Sequence, residues 1–117
     1  MRQRTVLLLE DEPVIALDMR EALEASGCRV VTAADAQEAI ALSGQQAFDL
    51  AILNFYFKGP ENGMALAQRL NLPAHTQLLF LTGAHPHDIK PLSGFNANFK
   101  VLHKPCTRQQ LRSFLLP

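Results

Sequence analysis

A chain of 117 residues has room for one domain and one core, and with 48% apolar residues it can pack that core without staples. Lysine plus arginine and aspartate plus glutamate number eleven each, with no basic run, so a face for direct DNA or RNA binding is not expected. No apolar stretch approaches the roughly 18 residues of a membrane span, and Met1-Arg2-Gln3-Arg4 enters a strand pattern rather than a signal peptide, so a cytoplasmic protein is expected. Cys28 and Cys106 have no metal-ligand spacing and read as buried thiols in a reducing compartment.

The first apolar run, Val6-Leu7-Leu8-Leu9, ends in Glu10 and Asp11. Glu12-Pro13 then places proline at a first helical position, where its missing N–H costs nothing. Ile15, Met19, Ala22 and Leu23 recur on one face at helical period until Ser26-Gly27 stops the helix. Arg29-Val30-Val31-Thr32 is a short β-branched strand, and Asp35 with Glu38 has the pattern of a capping box opening a helix through Ile40, closed near Gly44. Leu50-Ala51-Ile52-Leu53 ends in Asn54; after the loop Lys58-Gly59-Pro60-Glu61, Asn62 caps a helix carrying Leu66, Ala67 and Leu70. Leu78-Leu79-Phe80-Leu81 ends in Thr82, and Val101-Leu102-His103 ends in Lys104 before Pro105. Thr107 with Gln110 is a second capping-box pattern, followed by Leu111, Phe114 and Leu115 on one helical face. Between Thr82 and Phe99, Pro86, Pro91 and Gly94 leave at most about one turn of regular helix, so this slot is expected to be short or irregular.

Short apolar runs bounded by polar residues read as strands buried on both faces, and their alternation with helices makes the sheet parallel. The expected fold is α/β, a three-layer doubly wound (βα)5 sheet, with residues 1–117 forming one undivided domain. An open parallel sheet directs all its strand carboxyl ends into one crevice, the usual ligand site of such folds. That crevice would gather two carboxylates, an amide, a hydroxyl and an ammonium. This is the equipment of a phosphoryl-transfer site whose nucleophile has been neutralised.

Taken singly, these groups have plain accounts. Acids before a helix complement its dipole, and Lys-Pro is an ordinary strand exit. Together, in order and each at a strand end, Glu10-Asp11, Asn54, Thr82 and Lys104-Pro105 resemble the receiver domain of two-component response regulators, over nearly the whole chain. The resemblance implies a flavodoxin/CheY-like strand order, 2-1-3-4-5, and a bacterial phosphorelay module rather than an enzyme. In that family an aspartate ending the third strand accepts a phosphoryl group from a histidine kinase or a small phosphodonor. Carried over, the Mg²⁺ ligands would be Asp11, Asn54 and the carbonyl of Tyr56, with Glu10 acting through water. Lys104 would pair with the carboxylate or phosphoryl oxygen at position 54, and the Thr82 hydroxyl would take a phosphoryl oxygen. Implied partners are a histidine kinase or phosphotransfer protein, and a downstream effector or a second copy of the chain.

Three departures from the family pattern matter. Asn54 offers no nucleophile and no charge, so Mg²⁺ binding should be weak or absent. Val101 stands where the family has an aromatic switch residue, and the fourth helical slot is broken. With Thr82-Gly83, the last two features are similar to a receiver subclass known mostly from α-proteobacteria, often single-domain, in which an aromatic-x-Thr-Gly sequence precedes a poorly formed helix. Phe80-Leu81-Thr82-Gly83 fits that signature, whereas Ala84-His85 replaces the aromatic expected after the glycine. His85 and His87 read as loop residues and His103 as a partly exposed strand-end residue; Tyr56 and Phe57 read as lid, partner contacts or cover for the sheet top.

Three functions follow. The first is a degenerate receiver signalling by protein–protein interaction. The second is a phosphorylatable receiver in which aspartate at 54 has been changed to asparagine. The third is a flavodoxin-like module for a small anionic ligand, which no Gly-rich phosphate loop supports.

Overall fold

The computed structural model describes residues 3–56, 62–83 and 99–115. Among the described residues, five strands and four helices follow one another as β1 (Thr5–Leu9), α1 (Pro13–Ala25), β2 (Arg29–Ala33), α2 (Ala36–Gln45), β3 (Leu50–Asn54), α3 (Gly63–Arg69), β4 (Gln77–Thr82), β5 (Phe99–His103) and α4 (Arg108–Ser113). The pairings among these five strands are parallel and the sheet order is β2-β1-β3-β4-β5, as expected of a doubly wound fold.

Strand alternation explains the layers. Leu7 and Leu9 of β1, Ala51 and Leu53 of β3 and Phe80 of β4 join one core with Ala39 of α2 and Met64 and Leu66 of α3. Val6, Leu8, Ile52, Leu79 and Leu81 point to the other face and pack with Met19 and Leu23 of α1 and Leu111 of α4. Both faces of β1, β3 and β4 are thereby covered, which is why these strands read as unbroken apolar runs. β5 departs from that expectation. Among the described strands it stands at the edge, beside β4; Phe99 and Val101 reach the first core, Leu102 the second, while Lys100 and His103 are exposed.

The helix ends follow local chemistry. Pro13 opens α1, and Gly27, at φ 92°, turns the chain into β2 in a left-handed conformation that a side chain would strain. The Asp35 carboxylate accepts the Glu38 N–H at 2.8 Å, one half of the expected box, and α2 runs through Gly44 to Gln45 rather than stopping at it. The Asn62 side chain accepts the Ala65 N–H at 2.9 Å, and Thr107 with Gln110 makes a complete reciprocal box at α4. Cys28 is buried as expected; Cys106 is only half-buried, because it lies beyond the edge strand. The slot expected to be short or irregular, with His85 and His87, and the segment holding Phe57 fall outside the described residues. No described helix is long and apolar enough to cross a membrane.

Candidate functional site: the crevice at the strand carboxyl ends

Parallel register brings four strand exits to one rim. Leu9 pairs with Leu53, so Glu10 and Asn54 emerge side by side from β1 and β3. Thr82 pairs with His103, and the Lys104 N–H donates to the Thr82 carbonyl at 2.7 Å, which anchors the exit of β5 against that of β4. The Lys104–Pro105 peptide is cis. Glu10, Asn54 and Thr82 are all buried, the Glu10 side chain completely.

Glu10 is the hub. Its Oε2 accepts Lys104 Nζ at 2.9 Å, while Oε1 accepts the Glu12 N–H at 3.2 Å and Asn54 Nδ2 at 3.3 Å. Asn54 Nδ2 also donates to Asp11 Oδ1 at 3.4 Å, so one amide bridges two carboxylates. Both contacts sit at the long end of the hydrogen-bond range. The direction of the amide follows from its neighbours: turned over, its oxygen would face two acceptors.

The fit to sequence expectation is mixed. Glu10, Asp11, Asn54 and Lys104 do converge. Lys104, however, is fastened to Glu10 rather than to position 54, and Glu10 also accepts from Asn54. The physical reason is charge: a neutral amide gives the ammonium nothing to pair with, and a fully buried carboxylate next to it does. The backbone of Thr82 is tied to Lys104 as described. Tyr56 stands at the lip, 60% exposed, in an isolated antiparallel bridge with Asn62 and with its ring edge-on to Phe55 at 4.9 Å. Val101 lies opposite Phe80 in register, and Phe99 supplies the ring that meets Phe80, at 5.3 Å. His103 is exposed, as expected.

One residue escaped the sequence reading. A Cβ on Gly63 would lie 3.0 Å from the Asn54 carbonyl oxygen and 3.1 Å from Phe55 Cα. Only glycine lets the first turn of α3 press on the exit of β3, where the Gly63 N–H donates to the Phe55 carbonyl at 2.6 Å. The signal was present in Asn62-Gly63, a cap followed at once by a residue poor in helix propensity.

A resident Mg²⁺ would need oxygen ligands facing one point. Here the Asn54 amide presents N–H, not oxygen, to both carboxylates, and both oxygens of Glu10 are already engaged. The donor set in this arrangement does not fit the ion.

Residues 6–116 match the response regulator receiver domain family. Among curated proteins the chain is similar to the alginate biosynthesis transcriptional regulatory protein AlgB of Pseudomonas aeruginosa, 32% identical over 95% of this chain and 25% of that protein. It is also similar to the two-component response regulator PprB of the same organism, 37% identical over 59% of this chain and 25% of that protein. The chain thus spans about a quarter of the length of these relatives. Among solved structures, the chemotaxis response regulator CheY4 of Vibrio cholerae superposes with TM-score 0.85 at 24% identity, covering 97% of both chains. The receiver domain of the hybrid histidine kinase CckA gives TM-score 0.80 at 23% identity, covering 95% of this chain and 94% of that one. Receiver domains are signalling modules that interact with histidine kinases or phosphotransfer proteins and generally bind Mg²⁺ at the phosphorylation site. With the sheet order, the rim of acids and lysine and the match over residues 6–116, this chain belongs to the response regulator receiver domains of two-component signalling.

Proposed function

We propose that this receiver signals through protein–protein contact and takes no phosphoryl group at position 54. The observation that carries the reading is Asn54 itself, buried at the end of β3 with its amide directed at Glu10 and Asp11. An amide nitrogen conjugated to its carbonyl has no lone pair to attack phosphorus, and no acyl phosphate forms from it. The module is not an enzyme. Its partners are a histidine kinase or phosphotransfer protein and an effector or second copy, met in the cytoplasm. The similarity to AlgB, a transcriptional regulatory protein, supports an effector on the output side.

Incubation with acetyl phosphate and Mg²⁺, followed by intact-mass measurement, is expected to show no added phosphoryl group on this chain. An adduct would sink the reading. Asn54→Asp is expected to restore uptake, because the chain has Glu10, Asp11, Thr82 and Lys104, the other residues that the resemblance assigns to the reaction. Failure of that variant to take up phosphoryl or beryllofluoride would mean that the site has diverged beyond its nucleophile.

A further inference from the structure

We infer that the Asn54 amide stands where a divalent cation would otherwise bridge Glu10 and Asp11, so that this crevice is built to hold together without a metal. The inference rests on the position-54 reading above and extends it from the missing nucleophile to the missing ion. Two carboxylates crowded at the end of a sheet repel unless something positive or hydrogen-bond-donating lies between them. In this chain the donors are its own. Asn54 Nδ2 reaches Glu10 Oε1 at 3.3 Å and Asp11 Oδ1 at 3.4 Å, one amide serving both acids. Lys104 Nζ neutralises the far oxygen of Glu10 at 2.9 Å, and the Glu12 N–H adds a backbone donor at 3.2 Å.

Entry of a cation would require this set to be taken apart. The amide must turn over, giving up both contacts, before its oxygen can act as a ligand. Oε1 of Glu10 has two acceptor sites, one holding the Glu12 N–H and the other the Asn54 amide, so this buried carboxylate can turn an oxygen to a cation only when the amide withdraws. Mg²⁺ gives up its water shell reluctantly and gains little from neutral oxygens in exchange. The amide therefore acts as an obstacle to the ion rather than as one of its ligands.

The two roles give opposite signs for one substitution. If the Asn54 oxygen were a ligand, Asn54→Ala would weaken cation binding. If the amide is a stand-in, Asn54→Ala removes the donor, leaves the carboxylates facing each other and creates cation binding that the native chain lacks. Thermal unfolding in EDTA and in millimolar Mg²⁺ reads the difference. The native chain is expected to melt at the same temperature in both. Asn54→Ala is expected to melt lower than the native chain in EDTA and to rise by several degrees with Mg²⁺. A native chain that gains from Mg²⁺ as much as Asn54→Ala, or an alanine variant that gains less, overturns the inference. Should the variant not fold, the native chain is titrated with Mn²⁺ and the Asn54 side-chain NH₂ signals are followed by NMR. Persistence of sharp signals supports the stand-in; selective broadening of them overturns it. Phosphoryl uptake is scored separately by mass, so cation binding without uptake would defeat this inference and leave the acceptor reading intact.

Discussion

Two ion pairs of similar length lie at opposite extremes of exposure. In the crevice, Lys104 meets Glu10 at 2.9 Å, with side chains 24% and 0% exposed. Across the outer surface, Arg108 of α4 meets Asp18 of α1 at 2.7 Å, with side chains 53% and 64% exposed, and Glu21 at 3.9 Å. The shorter contact is the exposed one, so distance does not rank them. Burial does: water already solvates Arg108 and Asp18 when they part, whereas Glu10 has no water to fall back on. The crevice network is therefore obligatory once built, and the surface clasp is optional.

Removing the lysine breaks the comparison most severely. Lys104→Met leaves a buried carboxylate with only the Asn54 amide and the Glu12 N–H, and loss of one partner of a buried pair costs about 4 kcal/mol. Urea unfolding at pH 7 is expected to show a fall of that order. Adding Glu10→Gln to the same chain should recover most of it, because the stranded charge is then gone. If the single variant unfolds at the native urea midpoint, Glu10 has an unsuspected route to solvent and the distinction between the two pairs is lost.

Asn54→Asp sharpens the same contrast from the other side. A third carboxylate would lie beside Glu10 and Asp11, and two unit charges ~5 Å apart at an effective dielectric of about 20 repel by about 3 kcal/mol before Lys104 offsets part of it. In EDTA this variant is expected to melt below the native chain. Millimolar Mg²⁺ should raise its melting temperature far more than that of the native chain, since the form that binds the ion gains by mass action. Equal Mg²⁺ responses in the two proteins would place position 54 outside any coordination sphere.

The skeleton of this fold was readable because its central strands are covered on both sides. Leu7-Leu8-Leu9 and Leu79-Phe80-Leu81 serve two cores in alternation, which forces an unbroken apolar run into the sequence. At the edge that constraint relaxes, and β5 carries exposed Lys100 and His103 within the same strand. Membership of the crevice was readable too, because each candidate residue ends a strand and parallel register assembles strand ends. The wiring within it was not. Which acid Lys104 pairs with depends on the balance of charge and burial among its neighbours, and with a neutral amide at position 54 the ammonium pairs with Glu10. Asn62-Gly63 hints that something requires a glycine there, but sequence does not disclose the 3.0 Å approach to the Asn54 carbonyl, since a helical glycine is equally compatible with open space, as Gly44 shows.

Arg108→Ala carries the smallest expected effect and tests the other half of the comparison. α4 is held chiefly by Leu111, which is buried with Met19 and Leu23, and by its capping box at Thr107 and Gln110. The hydrogen bond to Asp18 and the nearby acids hold the Arg108 guanidinium above its ordinary pKa, so the arginine keeps its charge over any practical pH range. Salt, not pH, is therefore the probe from its side. Chemical unfolding of native chain and variant at low and at high ionic strength should give midpoints that differ little at low salt and coincide at high salt, where screening acts on exposed charges. A fall as large as that of Lys104→Met, persisting in high salt, would mean that α4 depends on this clasp for its packing. Burial would then no longer separate the two pairs.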